Sequence, residues 1–234
     1  MANKRSQRET ARDRKARVAE MRQQQRAAER RKTFLVIGLA VVLGLGLVAA
    51  AAVPLVLRAR NKPANQPLSA FGVPAAQASC GPATTDPATG GNDHQPAGTK
   101  IAFAQIPPSS GPHYPSPALG KTFYTAADRP PAAQLVHNLE HGYTVLWYDD
   151  TITGATLTQV QSLASKLAAQ TGGKFIATAW NNADGAFPAG THVAVSHWGK
   201  TAGHRLLCGQ LSGEAVGAFV TQFPTSDSPE PNGA

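Results

Sequence analysis

Hydrophobic residues follow three regimes along this chain. Thr33 to Leu57 (TFLVIGLAVVLGLGLVAAAAVPLVL) runs 25 residues without a charge. At about 1.5 Å per residue that is enough to cross a hydrocarbon core of roughly 30 Å. Residues 58–98 show almost no apolar periodicity. From Thr99 to Phe223 the pattern becomes that of a folded domain, with short apolar runs between turn signals and two amphipathic stretches.

Within that domain the periods predict elements. Lys100–Ile106 (KIAFAQI) alternates, as a strand does. Tyr143–Tyr148 (YTVLWY) is continuously apolar and suits a strand covered on both faces. Thr156–Gln170 places Leu157, Val160, Leu163, Leu167 and Ala168 on one helical stripe. Thr156 and Gln159 offer a capping box there, and Gly172–Gly173 a stop. Lys174–Trp180 and His192–Trp198 read as strands joined by the turn-rich NNADGAFPAG. Ser212–Phe223 is a second amphipathic helix carrying Val216, Phe219, Val220 and Phe223. Asp128, Pro130 and Pro131 mark the start of a shorter helix that ends at Gly142. The expected architecture is α+β: one N-terminal transmembrane helix, then a small extracytoplasmic α+β sandwich with one sheet. There is no internal repeat and no phosphate-cradling glycine loop.

Charge sharpens the topology. Of the 22 Lys and Arg, 12 lie in residues 1–32, against 4 of the 14 Asp and Glu. The rest of the chain balances 10 basic against 10 acidic residues, so the folded part lacks the basic surface that nucleic-acid binding needs. Arg30, Arg31 and Lys32 abut the apolar run, and after it only Arg58, Arg60 and Lys62 come before Lys100. The positive-inside bias puts the N-terminus in the cytoplasm and the domain outside a cell membrane, single-pass. A cleaved signal peptide is the competing reading, but the basic and apolar regions are both long for one. The expected organisation is a basic cytoplasmic arm over 1–32 that touches anionic lipid, an anchor over 33–57 and a Pro-rich stalk over 58–98. The domain then occupies 99–223, with a disordered tail over 224–234. No sequence feature points to a particular protein partner.

Candidate chemistry concentrates in two segments. Pro107–Pro115 (PPSSGPHYP) is a stiff, non-helical loop that fixes His113 and Tyr114. Val136–Gly142 (VHNLEHG) carries His137 and His141 four apart, on one helix face and within reach of one ion. His-x-x-Glu-His also matches the inverted zinc-protease signature, in which Glu140 would be the general base. That short motif needs a third ligand and a larger cleft than this chain offers. Glu140 otherwise reads as a ligand or, before that, as a clamp on a loop amide.

PPSSGPHYP, the Gly120–Tyr124 region and LVHNLEHGYTVLWY, behind a single anchor, resemble a bacterial membrane family catalogued as domain of unknown function 3105 and common in actinobacteria. The resemblance covers roughly residues 90–223 and implies fold and topology, with no settled activity. By position, that family's histidines correspond here to His94 (in GNDHQP), His113, His137 and His141. Each has a plainer reading as a hydrogen-bonded structural residue. As ligands, imidazoles suit copper or zinc rather than calcium or magnesium. The two methionines, Met1 and Met21, both precede the anchor and give Cu(I) no soft site. His197 reads as a core residue, and His192 and His204 as solvated turn residues.

Cys80 and Cys208 both follow the anchor, on the side where disulfides persist. A bridge between them would tie the stalk to the segment before the last helix, stabilising by roughly 4–5 kcal/mol in the chain-entropy account. Three functions stay open: a metal-binding module, a non-catalytic envelope interaction protein whose His and Pro motifs are structural, and a zinc-dependent hydrolase.

Overall fold

The computed structural model describes residues 2–60 and 62–233, with backbone alone for 2–13, 16 and 60. For the lipid contact expected of the 1–32 arm, the side chains from Lys4 to Arg12 lie outside the described ones. The chain divides into two units, a single helix and a folded domain that begins after Arg60.

The first unit is α1 (Ala2–Arg60), which continues through Pro54. Its apolar side chains from Phe34 to Leu57 are all exposed. Among the described residues it is the one helix long and apolar enough to cross a membrane.

The folded unit is built on one mixed six-stranded sheet. Its strands are β1 (Thr84–Pro87), β2 (Phe123–Tyr124), β3 (Thr144–Tyr148), β4 (Phe175–Ala179), β5 (Val193–Trp198) and β6 (Ala202–Cys208), in the order β1-β6-β5-β3-β4-β2. β3 and β2 run parallel to β4, and the remaining pairs are antiparallel. Helices α3 (Gly154–Gln170) and α4 (Gly213–Gln222) cover one face, while α2 (Ala132–Glu140) lies on the other.

Strand alternation sorts the core. Leu146, Phe175, Val193 and Val195 face Val160, Leu163 and Leu167 of α3 and Val216 and Phe219 of α4. Val145, Trp147, Ile176, Ala194 and Trp198 face Leu135, Val136 and Leu139 of α2. Covering both faces is why YTVLWY reads as an unbroken apolar run. Leu135, Val136 and Leu139 are fully buried and contribute roughly 1.5–3 kcal/mol each, which fixes α2 and hence its C-terminal turn on the sheet. Together the long apolar helix and the single sheet with packed helices form the α+β architecture read from the pattern.

Several boundaries move. Lys100–Ile106 is not a strand. Ile101 and Phe103 turn inward and Ala102 and Ala104 outward, but both sheet edges are taken by β1 and β2, so the alternation is packed without a ladder. α3 starts at Gly154 with Thr153 as its N-cap, ahead of the Thr156–Gln159 box. Ser212 does cap α4, accepting from the Ala215 N–H.

The segment expected to be an extended stalk folds onto the domain from residue 62. It makes short 3₁₀ turns at Pro63–Asn65, Leu68–Ala70 and Ala75–Gln77 and supplies edge strand β1. Phe71 is buried, its carbonyl accepts from the Gly213 N–H at 2.7 Å, and the Val73 N–H donates to Leu211 O at 2.9 Å. Cys80 and Cys208 form a disulfide that closes 128 residues of chain. So few apolar residues suffice because the surface they dock on is already built by the sheet and α4. The tail expected to be disordered is likewise a strap. Ser228 is fully buried, and the Lys200 N–H donates to Asp227 O at 2.7 Å.

Candidate metal centre

α2 ends in the turn that carries the chemistry. His137 sits in its last turn, Glu140 is its final residue and His141 is its C-cap; Gly142 follows at φ 83°, a left-handed conformation that favours glycine. The helix is held to the neighbouring loop by Asn138. Its Oδ1 accepts from the Ala118 N–H at 2.8 Å and its Nδ2 donates to Ala118 O at 2.9 Å.

The proline-rich loop brings His113 over this turn. The Tyr114 N–H donates to Ala133 O at 3.2 Å, and the His113 backbone pairs with the 93–95 segment through Asp93 O at 3.0 Å and the Gln95 N–H at 2.7 Å. That pairing sets His94 beside His113. From below, Asp86 anchors the loop: its carboxylate accepts from Arg205 Nε at 2.6 Å, Arg205 Nη2 at 3.1 Å and Ser109 Oγ at 3.1 Å. Burial opposes ionisation of Asp86, yet the hydrogen bond and charge of Arg205 hold its carboxyl below the usual range.

The four imidazoles form one cluster. Ring centroids lie 4.8 Å apart for His94 and His113, 5.0 Å for His113 and His137, 5.2 Å for His94 and His137, and 4.5 Å for His137 and His141. His94, His113 and His137 bring ligand atoms within 4.8 Å of one another, and so do His137, Glu140 and His141. His113 Nδ1 is 2.9 Å from Gly111 O and His137 Nδ1 is 2.6 Å from Tyr114 O. A carbonyl only accepts, so both Nδ1 atoms carry protons, and in the neutral rings Nε2 is the atom left to bind a metal. Burial, resisted by the bond to Tyr114 O, holds His137 below the usual histidine range, and the imidazoles of His141, His113 and His94 add to the depression.

Glu140 is divided between two tasks. Oε1 accepts from the Asn92 N–H at 3.0 Å, the loop-amide clamp expected of it. Oε2 stands 2.9 Å from His113 Nε2 and 3.9 Å from His94 Nε2. Glu140 Oε2 and His113 Nε2 are both buried without an aligned hydrogen-bond partner. Buried polar atoms of that kind call for an explanation. A cation between the carboxylate and the imidazole lone pairs supplies one, and the donor set suits copper or zinc.

The other sequence candidates fall elsewhere. The Tyr114 hydroxyl donates to Thr99 O at 2.9 Å, away from the cluster, so Tyr114 contributes only its carbonyl. His197 is buried in the sheet. His192 pairs with Asp149 at 2.7 Å and His204 stacks on Phe223 at 3.9 Å between ring centroids, so neither is simply solvated.

Sequence reading passed over Glu230. The strap sets its carboxylate 3.3 Å from His141 Nε2, and its N–H donates to Glu140 O at 3.0 Å. Lys174 Nζ ties the strap down, donating to His141 O, Pro231 O and Gly233 O at 2.7, 2.7 and 3.0 Å. The Pro/Ser-rich composition of the tail hides this role. Asn138, by contrast, was visible inside VHNLEHG, one residue after His137.

A family profile described as "Protein of unknown function (DUF3105)" matches residues 94–234, more than half of the chain. The chain belongs to the DUF3105 family. No curated protein and no solved structure matches its sequence. The matched DUF3105 span contains every side chain of the cluster, from His94 to Glu230, together with Asn138 and Lys174.

Proposed function

We propose that the domain is a histidine-based metal-binding module for copper or zinc, displayed outside a cell membrane by α1 with its N-terminus cytoplasmic. The observation that carries the reading is the buried, unaligned pair His113 Nε2 and Glu140 Oε2, with the Nε2 lone pair of His137 and the ring of His94 beside it. Desolvating a carboxylate against a neutral imidazole costs free energy that a bound dication returns. The backbone carbonyls on His113 and His137 Nδ1 are the outer contacts that orient metal-binding imidazoles. Both cysteines are engaged in the disulfide, so the ligand set is nitrogen and oxygen, which favours Cu²⁺ or Zn²⁺ over Cu⁺.

Location follows from the same kind of reasoning. A disulfide persists in oxidising compartments. The exposed apolar surface of α1 is suited to lipid, and the Lys/Arg excess before it favours a cytoplasmic N-terminus. We read Glu140 as part of the ligand cluster rather than as a hydrolytic base, because Oε1 is committed to the Asn92 amide and Oε2 is turned onto the histidines.

The test is elemental analysis of the full chain, purified in detergent without a chelating tag and challenged with Cu²⁺ and Zn²⁺, beside His113→Ala/His137→Ala. Near-stoichiometric metal that the double variant loses is expected. No metal from either ion, with the circular dichroism of a folded domain, would overturn the reading and leave the motifs as structure that presents a surface to a partner.

A further inference from the structure

The two ligand trios of the cluster share His137. Its Nδ1 is committed to Tyr114 O at 2.6 Å, so it has a single lone pair, on Nε2, and can serve one ion at a time. Zn–N and comparable bonds of about 2.0–2.1 Å leave no way for a neutral imidazole to bridge two ions through one nitrogen.

The two positions differ in chemistry. On one side stand three imidazoles, His94, His113 and His137, with Glu140 Oε2 at 2.9 Å from His113 Nε2. On the other, His137 and His141 are joined by Glu140, with the Glu230 carboxylate 3.3 Å from His141 Nε2. The cluster meets solvent at both ends: the His94 and Glu230 side chains are 41% and 46% exposed. His113 and His137 between them are buried. Rings of His94, His137 and His141 follow one another at 5.2 and 4.5 Å, so the exposed ends are linked through the shared ligand.

We propose that the cluster holds one transition-metal ion in either of two mutually exclusive positions, and that the ion is cargo passed across His137. The first position uses His94, His113 and His137; the second uses His137, Glu140 and His141 under the C-terminal strap, with Glu230 as its solvent-side carboxylate. Exchange of ligands one at a time keeps the ion bound through His137 while it moves, and no group is oxidised or reduced. This inference rests on the metal-binding reading and adds the ion's mobility and its route.

The experiment titrates Cu²⁺ into the full chain in detergent and counts coordinated imidazole nitrogens by electron paramagnetic resonance and electron spin-echo modulation. Wild type is expected to saturate at one Cu²⁺ per chain with a spectrum that is the sum of two species. His141→Ala should retain one ion with three imidazoles, and His94→Ala one ion with two, each within about tenfold of wild-type affinity. His137→Ala should weaken binding at least a hundredfold. Two ions per wild-type chain would overturn the proposal while leaving metal binding intact. So would a single species that His94→Ala abolishes and His141→Ala leaves unchanged. The His94 and His141 variants decide the matter even if His137→Ala does not fold. A wild-type chain that binds neither Cu²⁺ nor Zn²⁺ overturns the metal reading itself, an outcome distinct from both.

Discussion

His113 Nε2 and Glu140 Oε2 lie 2.9 Å apart in the interior, yet no hydrogen bond is aligned between them. Gly111 O takes the proton on His113 Nδ1, so a neutral imidazole at this position turns its Nε2 lone pair onto a carboxylate oxygen. Between a neutral imidazole and a carboxylate that contact is repulsive, and it becomes favourable around a cation.

Glu140→Gln separates the two states. The Gln amide can donate to His113 Nε2 while its oxygen still accepts from the Asn92 N–H. The metal-free variant should therefore be more stable than wild type by about 1 kcal/mol, while Cu²⁺ or Zn²⁺ affinity falls on the order of 10–100-fold. Urea unfolding in chelator and a metal titration read the two signs. A metal-free variant less stable than wild type would show that the contact is not repulsive.

Asp86 acts on the site from a distance, through Arg205 and Ser109 beneath the His113 loop. Asp86→Asn leaves the largely buried Arg205 without its counter-charge and should cost about 3 kcal/mol. Metal affinity should drop roughly tenfold as the loop loses its anchor. Unchanged affinity at reduced stability would show that the loop is positioned by its prolines alone.

Gly142 lets the strap lie close. A Cβ at this position would stand 2.6 Å from Thr225 O and 2.8 Å from Ser228 Oγ, at φ +83°. Gly142→Ala should cost about 1–2 kcal/mol from the left-handed backbone alone and should lift the strap from His141. Faster proteolysis within residues 224–233 checks this; unaltered cleavage would mean that Lys174 holds the strap unaided.

His197 gives stability a pH dependence. Burial, with His204 adding to it, pushes its imidazole down from 6.5 to about 4, against the opposing pull of Asp227 and the Tyr143 backbone. The unfolded chain therefore takes up the proton first as pH falls. This contribution is complete above pH 6.5, is lost between 6.5 and about 4, and levels off below that. The loss amounts to roughly 3 kcal/mol. Unfolding free energies across this window should show the slope in wild type and a shallower one in His197→Leu.

The residues that read clearly are those whose signal is local. YTVLWY, the α3 and α4 stripes and the His137/His141 spacing each report a period that the backbone must satisfy, and each appears as an element or a shared face. Lys100–Ile106 shows where period alone fails: its alternation is one of partial burial, but a strand also needs a free edge, and Thr84–Pro87 and Phe123–Tyr124 hold both.

What the sequence determined by itself is the α+β class, the apolar N-terminal helix, the two histidine motifs and the possible pairing of Cys80 with Cys208. Tertiary structure alone decided that residues 62–98 pack on the domain, that the tail is a strap carrying Glu230, and that four histidines and two carboxylates meet. The reason is physical. Periodicity and spacing are set by neighbours in the chain, whereas a proline-rich segment with few apolar residues folds only against a surface that others have already built.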